Sequence, residues 1–159
     1  MVDKALFSSN REDWETPQDF FDRLDAEFHF TLDAAASPEN AKCENYYTKE
    51  DDALTKNWEG VVWCNAPYGK RKPKVLYSFV KKGWEEAQNG NIVVMLVASR
   101  TDVKWWHDYA MGAKEIRFVE GRLNFVGGDS SAPFPSAVIV FTKGYHRPTV
   151  YSIPARVYE

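Results

Sequence analysis

Three features of the sequence predict an α/β protein with a sheet that is parallel in its middle. Strand-like apolar runs alternate with segments of helical periodicity. One run, Ile92-Val93-Val94-Met95-Leu96-Val97, is apolar on both faces. Two of the runs end in polar residues, Asp33 and Asn65.

Taken in order, the first residues, 1–13, are polar and aperiodic and read as a loose arm. Thr16-Pro17-Gln18-Asp19 reads as a helix start. Thr16 suits the N-cap, Pro17 the first helical position and Asp19 the positive end of the helix dipole. Phe20, Phe21, Leu24 and Phe28 then recur at helical spacing and form one apolar face. Phe30-Thr31-Leu32-Asp33 predicts a short strand ending in a carboxylate, and Ser37-Pro38-Glu39-Asn40 the cap of another short helix. Val61-Val62-Trp63-Cys64 predicts a buried strand, closed by the breakers of Asn65-Ala66-Pro67-Tyr68-Gly69. A helix is expected from about Pro73 to Ala87, with Leu76, Phe79, Val80 and Trp84 on one side. Asn89-Gly90-Asn91 turns the chain into the doubly apolar strand. A short helix over 103–109, a strand over 116–119, a loop over 127–131, a late strand over 137–141 and an edge strand over 150–153 complete the reading. Ligands of such sheets bind beyond the carboxyl ends of the strands, where Asp33 and Asn65 are placed.

At 159 residues the chain is expected to form a single domain spanning 1–159. Apolar residues at 44% and charged residues at 27% argue against disorder. No apolar run is long enough for a bilayer and the N-terminus lacks a secretory h-region, so a soluble protein of a reducing compartment is expected. Cys43 and Cys64 cannot build a disulfide framework, and His29, His107 and His146 are too scattered for a metal motif. No phosphate-binding Gly-x-x-x-x-Gly-Lys-Ser/Thr loop is present, which argues against ATP hydrolysis. Aromatic content is 15% with six Trp, and the rings beyond those a core needs are candidate platforms for nucleobases.

Charge is unevenly spread. The net value is −3, but residues 1–60 hold 15 acidic against 6 basic side chains, and residues 61–159 hold 8 against 14. Within 70–82 there are six Lys/Arg and no acid. Either this is a solvated basic loop and helix face, or one side of the molecule meets an anion.

Asn65-Ala66-Pro67-Tyr68 carries the chemistry. Pro67 biases Ala66 toward an extended backbone, so the amide oxygen of Asn65 and the main-chain carbonyl of Ala66 can converge. Two convergent acceptors suit an exocyclic NH₂ group, which has two protons to donate. Tyr68 offers a face on which an adenine or cytosine could lie. The amino nitrogen of such a base is a poor nucleophile because its lone pair is delocalised. Two fixed acceptors favour the pyramidal nitrogen and stabilise the charge that develops as it attacks.

These residues resemble the (Asn/Asp/Ser)-Pro-Pro-(Tyr/Phe) motif of S-adenosylmethionine-dependent amino-methyltransferases. More closely, the chain resembles the phage-type DNA N6-adenine methyltransferase (Dam-like) family. The matching stretches are Trp14-Glu15-Thr16-Pro17 with Phe20-Phe21, Leu32-Asp33-Ala34-Ala35-Ala36 with Asn40, Leu54 with Trp58, and Asn65 to Gly69. Ser99-Arg100-Thr101-Asp102 with Trp105-Trp106, Gly121 to Phe125, and Ala132 to Ser136 follow. Their order covers about residues 14–141. Two departures stand out: Ala66 replaces the first Pro of the motif, and the stretch after Asp33 lacks the Gly-x-Gly of most cofactor loops in the superfamily.

The resemblance implies a Rossmann-like methyltransferase fold, with a mostly parallel central sheet, an antiparallel late strand and helices on both faces. It implies transfer of a methyl group from S-adenosylmethionine, leaving S-adenosylhomocysteine, to N6 of adenine flipped out of double-stranded DNA. No metal is required, and the cytoplasm of a bacterium or phage-infected host is the implied location. Thr16, Pro17, Asp33 and Ala34 would bind the cofactor, with Asp51 or Asp52 at its adenine or ribose. Asn65, Ala66, Pro67 and Tyr68 would be catalytic. Lys70, Arg71, Lys72 and Lys74 would meet DNA phosphates, and Phe125 the second face of the base. Each has a plainer reading. Thr16-Pro17 can be a helix cap alone, Asp33 the N-cap of the next helix, Asp51 and Asp52 solvated, and Phe125 core. Of Trp105 and Trp106, one is expected in the core and the other over a surface or ligand. Cytosine N4, an RNA adenine or a protein glutamine would offer the same NH₂ group. A catalytically silent nucleic-acid-binding protein of the same fold is the alternative from another class.

Overall fold

A computed structural model describes residues 15–67, 73–126 and 132–157. The first helix among the described residues, α1, spans Gln18–Phe28 and buries Phe20, Phe21 and Leu24, the face expected from their spacing. Pro17, not Thr16, is its N-cap, and no side chain caps it. The helix ends at His29, whose left-handed backbone (φ 57°) lets its N–H reach the Asp25 carbonyl.

The strands are β1 (Leu32–Asp33), β2 (Val61–Asn65), β3 (Ile92–Ala98), β4 (Glu115–Glu120), β5 (Ser136–Phe141) and β6 (Thr149–Pro154). They form one sheet in the order β1-β2-β3-β5-β4-β6. β1, β2 and β3 run parallel, β5 runs antiparallel to both β3 and β4, and β6 lies parallel to β4 at the edge. The carboxyl ends of β1, β2 and β3 and the start of β5 therefore share one rim. Among the described residues helix α2 (Pro73–Gln88) and the short α3 (Lys104–Asp108) complete the regular elements, with one-turn 3₁₀ segments at Ala53–Thr55 and Ala110–Gly112.

Alternation along the strands sorts the core onto two faces. Trp63, Val94, Leu96, Val138 and Val140 pack with Phe20, Phe21 and Leu24 of α1. Val62, Cys64, Val93, Met95, Val97, Ile139 and Phe141 pack with Phe79, Val80 and Ala87 of α2 and with both tryptophans of α3. Helices thus cover both faces, as the α/β reading expects. α2 approaches β3 closely at Gly83, where a Cβ would sit 2.8 Å from Met95 Sδ. Gly90 (φ 101°) makes the turn from α2 into β3.

Three local expectations are corrected. No helix follows Ser37-Pro38; residues 38–40 form a turn, in which Asn40 Oδ1 accepts the Ser37 N–H at 2.7 Å. Asn40 satisfies the donor that a helix start would have left open. Thr16 lies one residue before the cap of α1, with its hydroxyl buried and without a hydrogen bond among the described residues. Trp105 and Trp106 are both buried, at 4% and 3% exposure. Both belong to the α2-side core: Trp105 packs on Trp106, and Trp106 stacks on Phe118 of β4 (6.2 Å).

Candidate active site

Asn65 is the last residue of β2 and is in register with Leu96 of β3. Alternation puts its side chain on the face of Trp63, the α1 side. Asp33 closes β1 and pairs with Trp63, so it stands on the same side one strand away. Strand geometry separates the two Cα atoms by roughly 8 Å. The Thr16-Pro17 turn leads into α1 above this corner. Sheet topology therefore gathers Asp33 and Asn65, and the packing of α1 on the same face brings Thr16-Pro17 to that side.

Asp33 is 2% exposed. Its Oδ1 accepts the Ala35 N–H at 3.2 Å and its Oδ2 the Lys42 N–H at 3.0 Å. It closes a loop instead of capping a helix. Its main chain is held as well, since its N–H donates to the Asn45 carbonyl and its own carbonyl accepts from Tyr47. Loss of hydration raises its pKa, against the opposing pull of the two N–H groups and the Lys42 charge. Burial also pushes the half-buried Cys43 thiol up to about 12, with the Asp33 and Asp25 charges adding to the effect. Cys64, fully buried, is raised too. Both thiols are thus unreactive at neutral pH.

The other side of the rim is apolar. Ala34, Ala53 and Ala66 belong to the α2-side core with Trp58 and Phe79, and the Ala34 N–H donates to the Trp63 carbonyl. Ala66 is buried and Pro67 half-buried. Trp58 anchors the 3₁₀ turn through its indole N–H to the Ala53 carbonyl at 2.9 Å. The two candidate aspartates lie directly before that turn. Asp51 accepts the N–H and hydroxyl of Thr48, which hold its carboxylate below the usual range. Asp52 is exposed and holds a left-handed backbone (φ 54°), and its carboxylate has no such turn partner among the described residues. A ligand touching Thr16-Pro17, Asp33 and Asp52 must cross the rim over β1 and β2.

Lys74, in the first turn of α2, is exposed. Tyr68, Lys70, Arg71 and Lys72 lie outside the described residues. Phe125 is 2% exposed and packs against Phe134 at 6.1 Å, so the packing supports its core reading. One residue that sequence reasoning passed over is Lys42. Its ammonium lies 3.0 Å from Gln18 Oε1 and 3.5 Å from a Glu15 carboxylate oxygen. A lysine in a polar loop carries no sequence signal that separates it from a solvated one. Among the described residues no group of three His, Cys, Asp or Glu side chains is placed to hold a metal, and no helix is long and apolar enough to cross a membrane.

Comparison with known proteins places the chain in a family. A DNA N-6-adenine-methyltransferase of Escherichia phage T1 is 32% identical over 139 residues, covering 76% of this chain and 56% of its own length. A DNA N-6-adenine-methyltransferase of Haemophilus phage HP1 is 30% identical over 126 residues, covering 77% of this chain and 70% of its own. The chain thus spans a little over half of the first relative and about two thirds of the second. A family model described as DNA N-6-adenine-methyltransferase (Dam) matches residues 4–156. With nearly the whole sequence matched, the chain belongs to the DNA N-6-adenine-methyltransferase (Dam) family.

Proposed function

We propose that the protein transfers a methyl group from S-adenosylmethionine to N6 of adenine in double-stranded DNA. The observation that carries this reading is the placement of Asn65 at the carboxyl end of β2, on the same face as Asp33 and the Thr16-Pro17 turn. The corner suits a donor that is cationic at its amino group and sulfonium, because Asp33 supplies a buried carboxylate. Thr16, Pro17, Asp33 and Ala34 would hold the methionine part. Asp52 would hold the adenosine end in preference to Asp51, whose carboxylate is engaged by Thr48.

S-adenosylmethionine supplies an electrophilic methyl carbon and a neutral thioether leaving group. The protein's part is to bring a nucleophile to it. The Asn65 side-chain oxygen and the Ala66 carbonyl would accept the two amino protons of a flipped adenine. They would orient the nitrogen lone pair along the axis of the bond that breaks. The N–C bond forms as the S–C bond breaks, and the extra amino proton leaves to solvent. Neither acceptor changes protonation state, so the contribution is orientation and electrostatic preorganisation. Pro67 and Tyr68 would stiffen the turn and support the base. Lys70, Arg71, Lys72 and Lys74 would meet the phosphates, in the cytoplasm of the host cell.

The test is product analysis. Incubation with tritiated S-adenosylmethionine and DNA, followed by digestion, is expected to put label in N6-methyldeoxyadenosine; label in N4-methyldeoxycytidine alone would overturn the adenine assignment. Asn65→Ala is expected to lower kcat by at least about a hundredfold, the scale of losing a preorganised transition-state contact. Affinity for S-adenosylhomocysteine should stay within a few-fold. Equal loss of both would mean that Asn65 serves folding.

A further inference from the structure

A cation is almost completely buried where the loop after β1 meets the start of α1. The Lys42 side chain is 5% exposed, which is rare for a strongly hydrated ammonium. Its Nζ donates to Gln18 Oε1 at 3.0 Å and lies 3.5 Å from a Glu15 carboxylate oxygen. Its main-chain N–H donates to Asp33 Oδ2 at 3.0 Å. Lys42 is therefore held at both ends, by Asp33 at its backbone and by the residues on either side of Thr16-Pro17 at its tip.

Stability alone is a poor reason for this arrangement. An ion pair whose cation is buried while its carboxylate stays partly open is often no more stabilising than apolar residues of similar volume, because desolvation offsets the attraction. A methionine would fill the same space without that penalty. What a methionine could not do is fix the distance between the Thr16-Pro17 turn and Asp33, which belong to separate elements. We propose that Lys42 is a positioning residue for methyl-donor binding, holding the Thr16-Pro17 turn and Asp33 in the relative placement that the donor requires. The inference rests on the donor-site reading above. The ammonium also adds positive charge beside Asp33, which helps that buried carboxylate stay ionised opposite a cationic ligand.

Lys42→Met keeps the stem and removes the charge and donor, and Lys42→Arg keeps both. On the full chain, calorimetric titration with S-adenosylhomocysteine should show binding at least tenfold weaker in Lys42→Met. Lys42→Arg should recover it to within threefold of wild type. DNA affinity measured without donor should stay within twofold in both. A folded Lys42→Met with donor-product affinity within twofold of wild type would overturn the proposal, even with a lowered melting temperature. Parallel loss of product and DNA affinity would overturn it as well. If Lys42→Met does not fold, Glu15→Met combined with Gln18→Met removes both acceptors of the ammonium from the other side. That variant must then show the tenfold loss, and unchanged affinity would refute the role. Failure of the wild type to bind S-adenosylhomocysteine would instead bring down the donor-site reading and this role with it.

Discussion

Asp33 holds a loop closed with a charge that burial disfavours. Its folded pKa lies above that of the unfolded chain, because lost hydration outweighs two main-chain N–H groups and a nearby ammonium. The sign of the linkage follows. A raised carboxyl favours folding fully below the unfolded value of about 3.9, and that contribution is lost as pH rises toward the folded value. Asp33→Asn cannot ionise and removes this slope. Urea unfolding of both proteins should show wild type losing stability relative to the variant as pH is raised from about 4. A constant difference across that window would mean that Asp33 titrates as an ordinary exposed carboxyl. The same substitution puts an amide N–H against one of two main-chain donors, so donor binding should weaken while the pH slope disappears.

At the scale of elements, α1 is fastened to the sheet by a second charged cluster, remote from Lys42. Arg117 of β4 donates to both Glu27 oxygens at 2.8 and 2.7 Å and to Glu115 at 2.9 Å, with its guanidinium over the Phe28 ring. The Glu27 pKa is lowered, chiefly by its hydrogen bonds to Arg117. A depressed carboxyl stabilises the fold above the unfolded pKa, and the effect fades as pH falls through the folded value. The Glu27 side chain is about half exposed, so solvent screening keeps the effect small. Glu27→Gln should destabilise by about 0.5–1 kcal/mol at pH 7 in chemical denaturation. The difference should shrink below the ordinary glutamate value of about 4.3; a difference that persists in acid would assign it to packing.

The same scale shows what could be read in advance. α1, α2, β2 and β3 announce themselves because each buries a face or a run long enough to impose a period, and Gly90 marks the turn between two of them. The strand order was not legible. β5 is buried on both faces just as β3 is, so its composition carries no record of its antiparallel direction, which the family resemblance alone supplied. In the polar stretch after Asp33, Ser37-Pro38 suits a helix start. Its donors were taken instead by Asn40 and Asp33, a competition that local propensity does not resolve. At the site, Asp33 and Asn65 were legible from position alone, as polar residues ending apolar runs. The choice between Asp51 and Asp52 turned on a hydrogen bond from Thr48, and Lys42 on contacts 24 residues away in the chain.

For the molecule as a whole, charge supplies a property that no single contact does. Residues 1–60 carry a balance of −9 and residues 61–159 one of +6, so a polyanion would favour the basic segment over the acidic one. The densest basic stretch begins directly after Asn65-Ala66-Pro67-Tyr68 and runs into α2, where Lys74 is exposed. A DNA backbone meeting that stretch would be oriented by repulsion from the acidic part as well as by attraction. Phosphate contacts release counterions and make affinity fall with salt, with little dependence on sequence. Replacing Lys70, Arg71, Lys72 and Lys74 together by Ser should therefore flatten the plot of log affinity against log salt. The upper limit is a reduction of about 3.6 in slope, if each cation meets one phosphate. Relative affinities among DNA sequences should stay nearly constant, because these contacts would not read bases. An unchanged slope in fluorescence anisotropy would remove this stretch from the interface and leave the basic side chains of 83–159 to carry the phosphate contacts.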